Sequence, residues 1–138
     1  GTGGPGGTGG TAGPVTATAE LTGDQQVPPV TTAATGTATA TLTGNTLMVE
    51  GEFSGLESDL LATSNAHVHV APVGESGPVV FPLTVTSADS RSGTFTGSAE
   101  LSTEQRDDFL AGLYYVNIHT EDNPDGEIRG QLEPAAAP

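Results

Sequence analysis

Gly36-Thr37-Ala38-Thr39-Ala40-Thr41-Leu42, then Thr43-Gly44-Asn45, then Thr46-Leu47-Met48-Val49-Glu50-Gly51-Glu52-Phe53, is the stretch that decides the fold. Small apolar residues alternate with threonine at a period of two, which suits a half-buried strand. A two-residue Gly-Asn break between two such runs is a hairpin signal. The same pattern recurs outward along the chain, at Val15 to Leu21, Ala66 to Ala71, Val79 to Thr86, Gly93 to Leu101, Tyr114 to His119 and Glu127 to Leu132. About eight short strands with frequent turn residues predict an all-β fold, a Greek-key β-sandwich or barrel.

One helix interrupts the series. Ser102-Thr103-Glu104-Gln105 reads as a capping box, Phe109, Leu110 and Leu113 supply an apolar stripe, and Gly112 is placed to end it. Residues 1–14 are almost wholly Gly, Thr and Pro, and read as a flexible tether. A lipid anchor on a cysteine upstream of Gly1 and an added linker are the two readings of that stretch. The domain itself is expected over 15–133, with 134–138 as a disordered tail.

The chain has 138 residues, 17 acidic and 3 basic, with a formal net charge of −14. That balance disfavours nucleic acid and anionic membranes as partners. Cysteine is absent, so disulfides, thiolate ligands and thiol nucleophiles are excluded. No apolar run reaches the roughly 18 to 20 residues of a membrane span. No signal peptide is visible at Gly1, and the chain reads as a mature or trimmed form.

Several blocks resemble one family. They are Ala19-Glu20-Leu21-Thr22-Gly23-Asp24-Gln25-Gln26-Val27-Pro28-Pro29-Val30, Ala66-His67-Val68-His69, the Ser102 to Gly112 helix, Tyr115 to Thr120, and Asn123 to Leu132. In this order they resemble CHRD domains, the module named after chordin, over roughly residues 15 to 133. The resemblance implies an extracytoplasmic β-sandwich, secreted, periplasmic or at the cell surface, and supplies no established catalytic activity. The His-Val-His step with a later histidine is also similar, over those few residues, to the copper strand of copper/zinc superoxide dismutases. The further zinc-ligand histidines and the disulfide cysteines of those enzymes have no counterparts here.

The histidines carry the chemistry. His67 and His69 lie two apart on one strand, so both leave the same face with Cα atoms roughly 6.5 to 7 Å apart. If the end of the Tyr115 strand approaches that face, His119 joins them, and all three histidines of the chain form one site. Neutral imidazoles suit Cu²⁺ or Zn²⁺, with copper first by affinity order and zinc the alternative.

Other candidates carry weaker chemistry. Met48 is a core residue or a thioether ligand, at most one of Tyr114 and Tyr115 faces the histidines, and Arg129 pairs with a carboxylate or guides an anion. The run Glu121 to Glu127 offers oxygen ligands for Ca²⁺ but reads first as an Asn-Pro-Asp-Gly turn. Ser64 lies near His67 in sequence, with no nucleophile motif around it. The expected function is extracytoplasmic copper binding for sequestration or delivery through His67, His69 and His119. The alternative is a non-enzymatic adhesion or interaction module of the cell envelope, with a protein partner, and superoxide dismutation is a further extension.

Overall fold

The computed structural model describes residues 14–135. The glycine-rich stretch read as a tether therefore lies outside the described residues except for Pro14. Among the described residues ten strands, numbered in chain order, form two antiparallel sheets facing each other, with no closed barrel. The larger sheet has the order β10-β1-β2-β3-β7-β6, and the smaller β5-β4-β8-β9.

In the larger sheet β1 is Val15–Leu21, β2 Thr35–Thr43, β3 Thr46–Ser54, β6 Thr84–Asp89, β7 Ser92–Glu100 and β10 Glu133–Pro134. In the smaller, β4 is Ala66–Val70, β5 Val79–Pro82, β8 Tyr114–Ile118 and β9 Ile128–Gln131. β7 returns beside β3, and β8 beside β4. These non-sequential neighbours make the sandwich a Greek key.

The β2-β3 hairpin closes through Gly44 and Asn45, with Thr43 opposite Thr46. Positive φ falls on Gly44 alone, as the first central position of a II′ turn requires. Alternation then sorts the strands. Ala38, Ala40 and Leu42 of β2 and Leu47, Val49 and Phe53 of β3 are buried against Val68, Val116, Ile118 and Ile128 of the facing sheet. Their threonine and glutamate neighbours face water.

Three expectations are corrected. The run Val79 to Thr86 is two strands in different sheets, because Pro82 has no N–H for the ladder and the chain crosses over at Leu83. Phe81 and Leu83 stay buried and Val85 half-buried through the crossing, so the alternation does not register it. Met48 is neither core nor ligand: it is 50% exposed on the outer face of the larger sheet. Leu110 of the helix is also exposed, since it lies next to buried Phe109 and about 100° round the axis.

The helix α1, Thr103–Leu110, carries the expected capping box between Ser102 and Gln105. It ends in a Schellman arrangement, with the N–H of Gly112 on the Phe109 carbonyl and that of Leu113 on the Asp108 carbonyl. At the chain end, Glu133–Pro134 pair with β1 and the Ala135 N–H donates to the Thr16 carbonyl, so strand pairing runs into the segment read as a tail. Residues 136–138 lie outside the described residues.

Candidate metal centre

β4 and β8 pair with His67 opposite Asn117 and His69 opposite Tyr115. β8 and β9 pair with Asn117 opposite Arg129 and Tyr115 opposite Gln131. These six side chains leave the smaller sheet on the face away from the core, because Val68, Val116 and Ile128 occupy the inward positions. An outward row is normally wet. Here His69, Tyr115, Asn117, Arg129 and Gln131 are all buried, because three loops fold back over them. Gln26 and Val27, Ser76 and Gly77, and Asp125 line the cleft that remains, of about 340 Å³, together with His69, His119 and Arg129.

His119 follows β8 by one residue, and its N–H donates to the Asn65 carbonyl, which extends the β4-β8 pairing by one step. Its ring thereby reaches the two histidines of β4. One ring nitrogen from each of His67, His69 and His119 lies within 4.8 Å of the others. The ring centroids of His67 and His119 are 4.8 Å apart, and those of His69 and His119 5.9 Å.

Hydrogen bonds fix which nitrogens are free. His119 donates from Nδ1 to the Pro124 carbonyl at 2.9 Å, and His69 from Nδ1 to the Gly77 carbonyl at 3.0 Å. Each ring therefore carries its lone pair on Nε2. The His119 Nε2 faces Nδ1 of His67 at 3.0 Å. The His69 Nε2 is buried and has no hydrogen-bond partner. A buried nitrogen lone pair without a donor is rare and costly in a folded protein.

Burial lowers the pKa of all three rings. For His119 it drops to about 4, with the hydrogen bond to the Pro124 carbonyl acting the other way. Burial also lowers His69, against the opposing hydrogen bond to the Gly77 carbonyl, and it lowers His67. The rings are thus neutral at neutral pH, as a metal ligand must be.

The remaining candidates separate from this cluster or change role. Tyr115 faces the histidines, stacked on His69 with centroids 5.0 Å apart and planes at 9°, while Tyr114 points into the core. Arg129 has no carboxylate partner among the described residues: its guanidinium sits 3.5 Å over the Tyr115 ring and donates to the Glu75 and Pro72 carbonyls. The Asn123 to Gly126 segment is a turn, closed by the Gly126 N–H on the Asn123 carbonyl. Glu127 turns inward from it, fully buried, and accepts from Thr32, Thr120 and the Glu57 N–H, so it is no part of a Ca²⁺ loop. Ser64 makes no hydrogen bond to a histidine.

Sequence reasoning missed Asn117, Gln26 and Gly77. Asn117 accepts from Gln26 at 2.7 Å and donates to the Asp125 carbonyl, tying two covering loops to β8. Gly77 offers its carbonyl to His69 and its N–H to the Tyr115 hydroxyl. A side chain there would collide with the Val70 carbonyl. The one signal for Asn117 was its place two residues before His119, on the same strand face.

Fold and site together define a Greek-key β-sandwich with a three-histidine cluster on the covered outer face of its smaller sheet. The chain belongs to the CHRD domain family, whose model matches residues 17–132. Neither a curated protein nor a solved structure matches the chain.

Proposed function

We propose that this protein binds copper outside the cytoplasm, for sequestration or delivery, through His67 Nδ1, His69 Nε2 and His119 Nε2. The observation that carries the reading is the unpartnered, buried Nε2 of His69, on a ring that has a nitrogen within 4.8 Å of nitrogens of His67 and His119. A metal ion at about 2.0 to 2.1 Å from each nitrogen spans at most about 4.2 Å between two ligands on opposite sides and about 3.4 Å at tetrahedral angles, so nitrogens up to 4.8 Å apart have to close by at least about half an ångström. Three neutral nitrogens with no thiolate favour Cu²⁺ over Zn²⁺ by the Irving–Williams order. CHRD domain membership supports an extracytoplasmic setting, periplasmic, secreted or held at the cell surface by a lipid anchor, with an envelope protein as the partner for delivery.

The test is a titration of metal-stripped protein with Cu²⁺ and separately Zn²⁺, by calorimetry and Cu²⁺ EPR. Wild type and the variants His67→Ala, His69→Ala and His119→Ala are compared. One-to-one submicromolar copper binding, with nitrogen hyperfine structure reduced in each variant, supports the site. Binding that ignores the three substitutions overturns it.

One observation favours a second, redox reading. The 340 Å³ cleft reaches His69 and His119, so a small molecule has a route to an open position on the ion. Superoxide consumption by the copper-loaded protein, lost in His119→Ala, would support that reading. The interaction-module reading has less behind it: among the described residues the large exposed apolar side chains are Val27, Met48, Val73, Val79 and Leu110, with no aromatic among them.

A further inference from the structure

Arg129 is 2% exposed, yet it donates to two main-chain oxygens and a side-chain amide oxygen rather than to a carboxylate. Its Nη1 donates to the Glu75 carbonyl at 2.7 Å, and its Nη2 to the Pro72 carbonyl and to Gln131 Oε1, both at 3.2 Å. Gln131 in turn donates to the carbonyls of Ala71 and Gly112. Burying a guanidinium is unfavourable unless its surroundings replace the lost hydration. What the arrangement gains is a fixed path for the segment from Ala71 to Gly77.

That segment ends on the metal cluster. The Gly77 carbonyl takes the Nδ1 proton of His69, and the Gly77 N–H donates to the Tyr115 hydroxyl at 3.1 Å. β8 runs between β4 and β9, so the Tyr115 ring lies between His69, on which it stacks, and Arg129, which covers it. Arg129 thus reaches His69 by two routes, through the stacked ring and through the loop.

We propose that Arg129 is the positioning residue of the site: it holds His69 in one orientation and as the Nδ1–H tautomer, with Nε2 free for the ion, without touching the ion itself. A planar fork is required, since it must span two carbonyls three residues apart and lie flat on a ring, and lysine does neither. The affinity consequence rests on the copper reading above. The effect on the His69 ring belongs to the metal-free protein.

The experiment compares wild type with Arg129→Lys, Arg129→Met and Tyr115→Phe. Long-range ¹⁵N–¹H NMR reads the imidazole tautomers of metal-free protein, and Cu²⁺ titration with EPR reads the site. In Arg129→Lys, which keeps the charge, His69 populates both tautomers, copper affinity falls by about 10- to 100-fold and the copper hyperfine pattern changes, while the His67 and His119 signals hold. Tyr115→Phe, which removes only the hydroxyl acceptor of Gly77, gives the same change in smaller measure and remains informative if Arg129→Met does not fold. A single His69 tautomer and an unaltered EPR spectrum in Arg129→Lys would overturn the proposal. If wild type binds no copper the copper reading fails, and the tautomer measurement still decides the role of Arg129.

Discussion

His67 Nδ1 and His119 Nε2 stand 3.0 Å apart and share one proton. The proton belongs to His67, because His119 already commits its own to the Pro124 carbonyl. A metal held through His67 Nδ1, as proposed, would have to move that proton from Nδ1 to Nε2. In ¹⁵N–¹H spectra, metal-free protein is expected to show His67 as the Nδ1–H form, and addition of Cu⁺ or Zn²⁺ to convert it to the Nε2–H form. Retention of the Nδ1–H signal in saturated protein would place the ion elsewhere.

Acid is expected to weaken the metal-free fold well above the carboxylate range. His119 titrates near 4 when folded and near 6.5 when unfolded. Above pH 6.5 both states are neutral and nothing changes. Below it the unfolded chain takes a proton that the folded chain refuses, so stability falls as pH drops from about 6.5 to 4, by about 3 kcal/mol from this group. Burial lowers His67 and His69 as well, in the same direction. Urea unfolding at pH 7.5 and 4.5 measures this, and His119→Ala is expected to flatten the slope.

Gly77→Ala should separate the loop from the site. The added methyl group meets the Val70 carbonyl, so the segment has to shift and its bonds to His69 and Tyr115 lengthen. Copper affinity is expected to fall by about 10- to 100-fold. Met48→Ala, on the exposed face of the other sheet, should leave copper binding unchanged by calorimetry.

Phe95→Ala tests the core apart from the site. Phe95 is 2% exposed between the sheets and is expected to cost about 3 to 5 kcal/mol when truncated. Where the variant is folded, its copper affinity by calorimetry should match wild type.

Ser102→Ala removes the side-chain acceptor that the Gln105 N–H uses. A loss of about 1 kcal/mol in thermal or urea unfolding is expected, with no change at the histidines.

The sheet pattern was legible because alternation at a period of two is written directly in Thr37 to Leu42 and in His67 to His69. The capping box at Ser102 was legible for the same local reason. The split at Leu83 was not, because Phe81, Leu83 and Val85 point the same way whichever sheet holds them. The three histidines could be named from their spacing and from the strand that carries His119. Their surroundings could not be read. Gly77, Gln26 and the partners of Arg129 come from loops whose return over the outer face is a matter of tertiary packing, and nothing local in Pro72 to Gly77 announces it. Arg129 shows the difference most clearly, since its charge suggested a carboxylate and the fold supplied carbonyls.

Because β4 and β8 give Val68 and Val116 to the core and His67, His69, Tyr115 and Asn117 to the other side, the backbone insulates one set of residues from the other. The histidines ride on the rigid frame, while the residues that decide what may approach them, Gln26, Val27, Ser76 and Asp125, sit on connections of the surface. Loops tolerate insertion and exchange far better than strands do. The same three-nitrogen frame can therefore be closed, opened or re-lined by altering its covers alone, with the strands that hold the rings left unchanged.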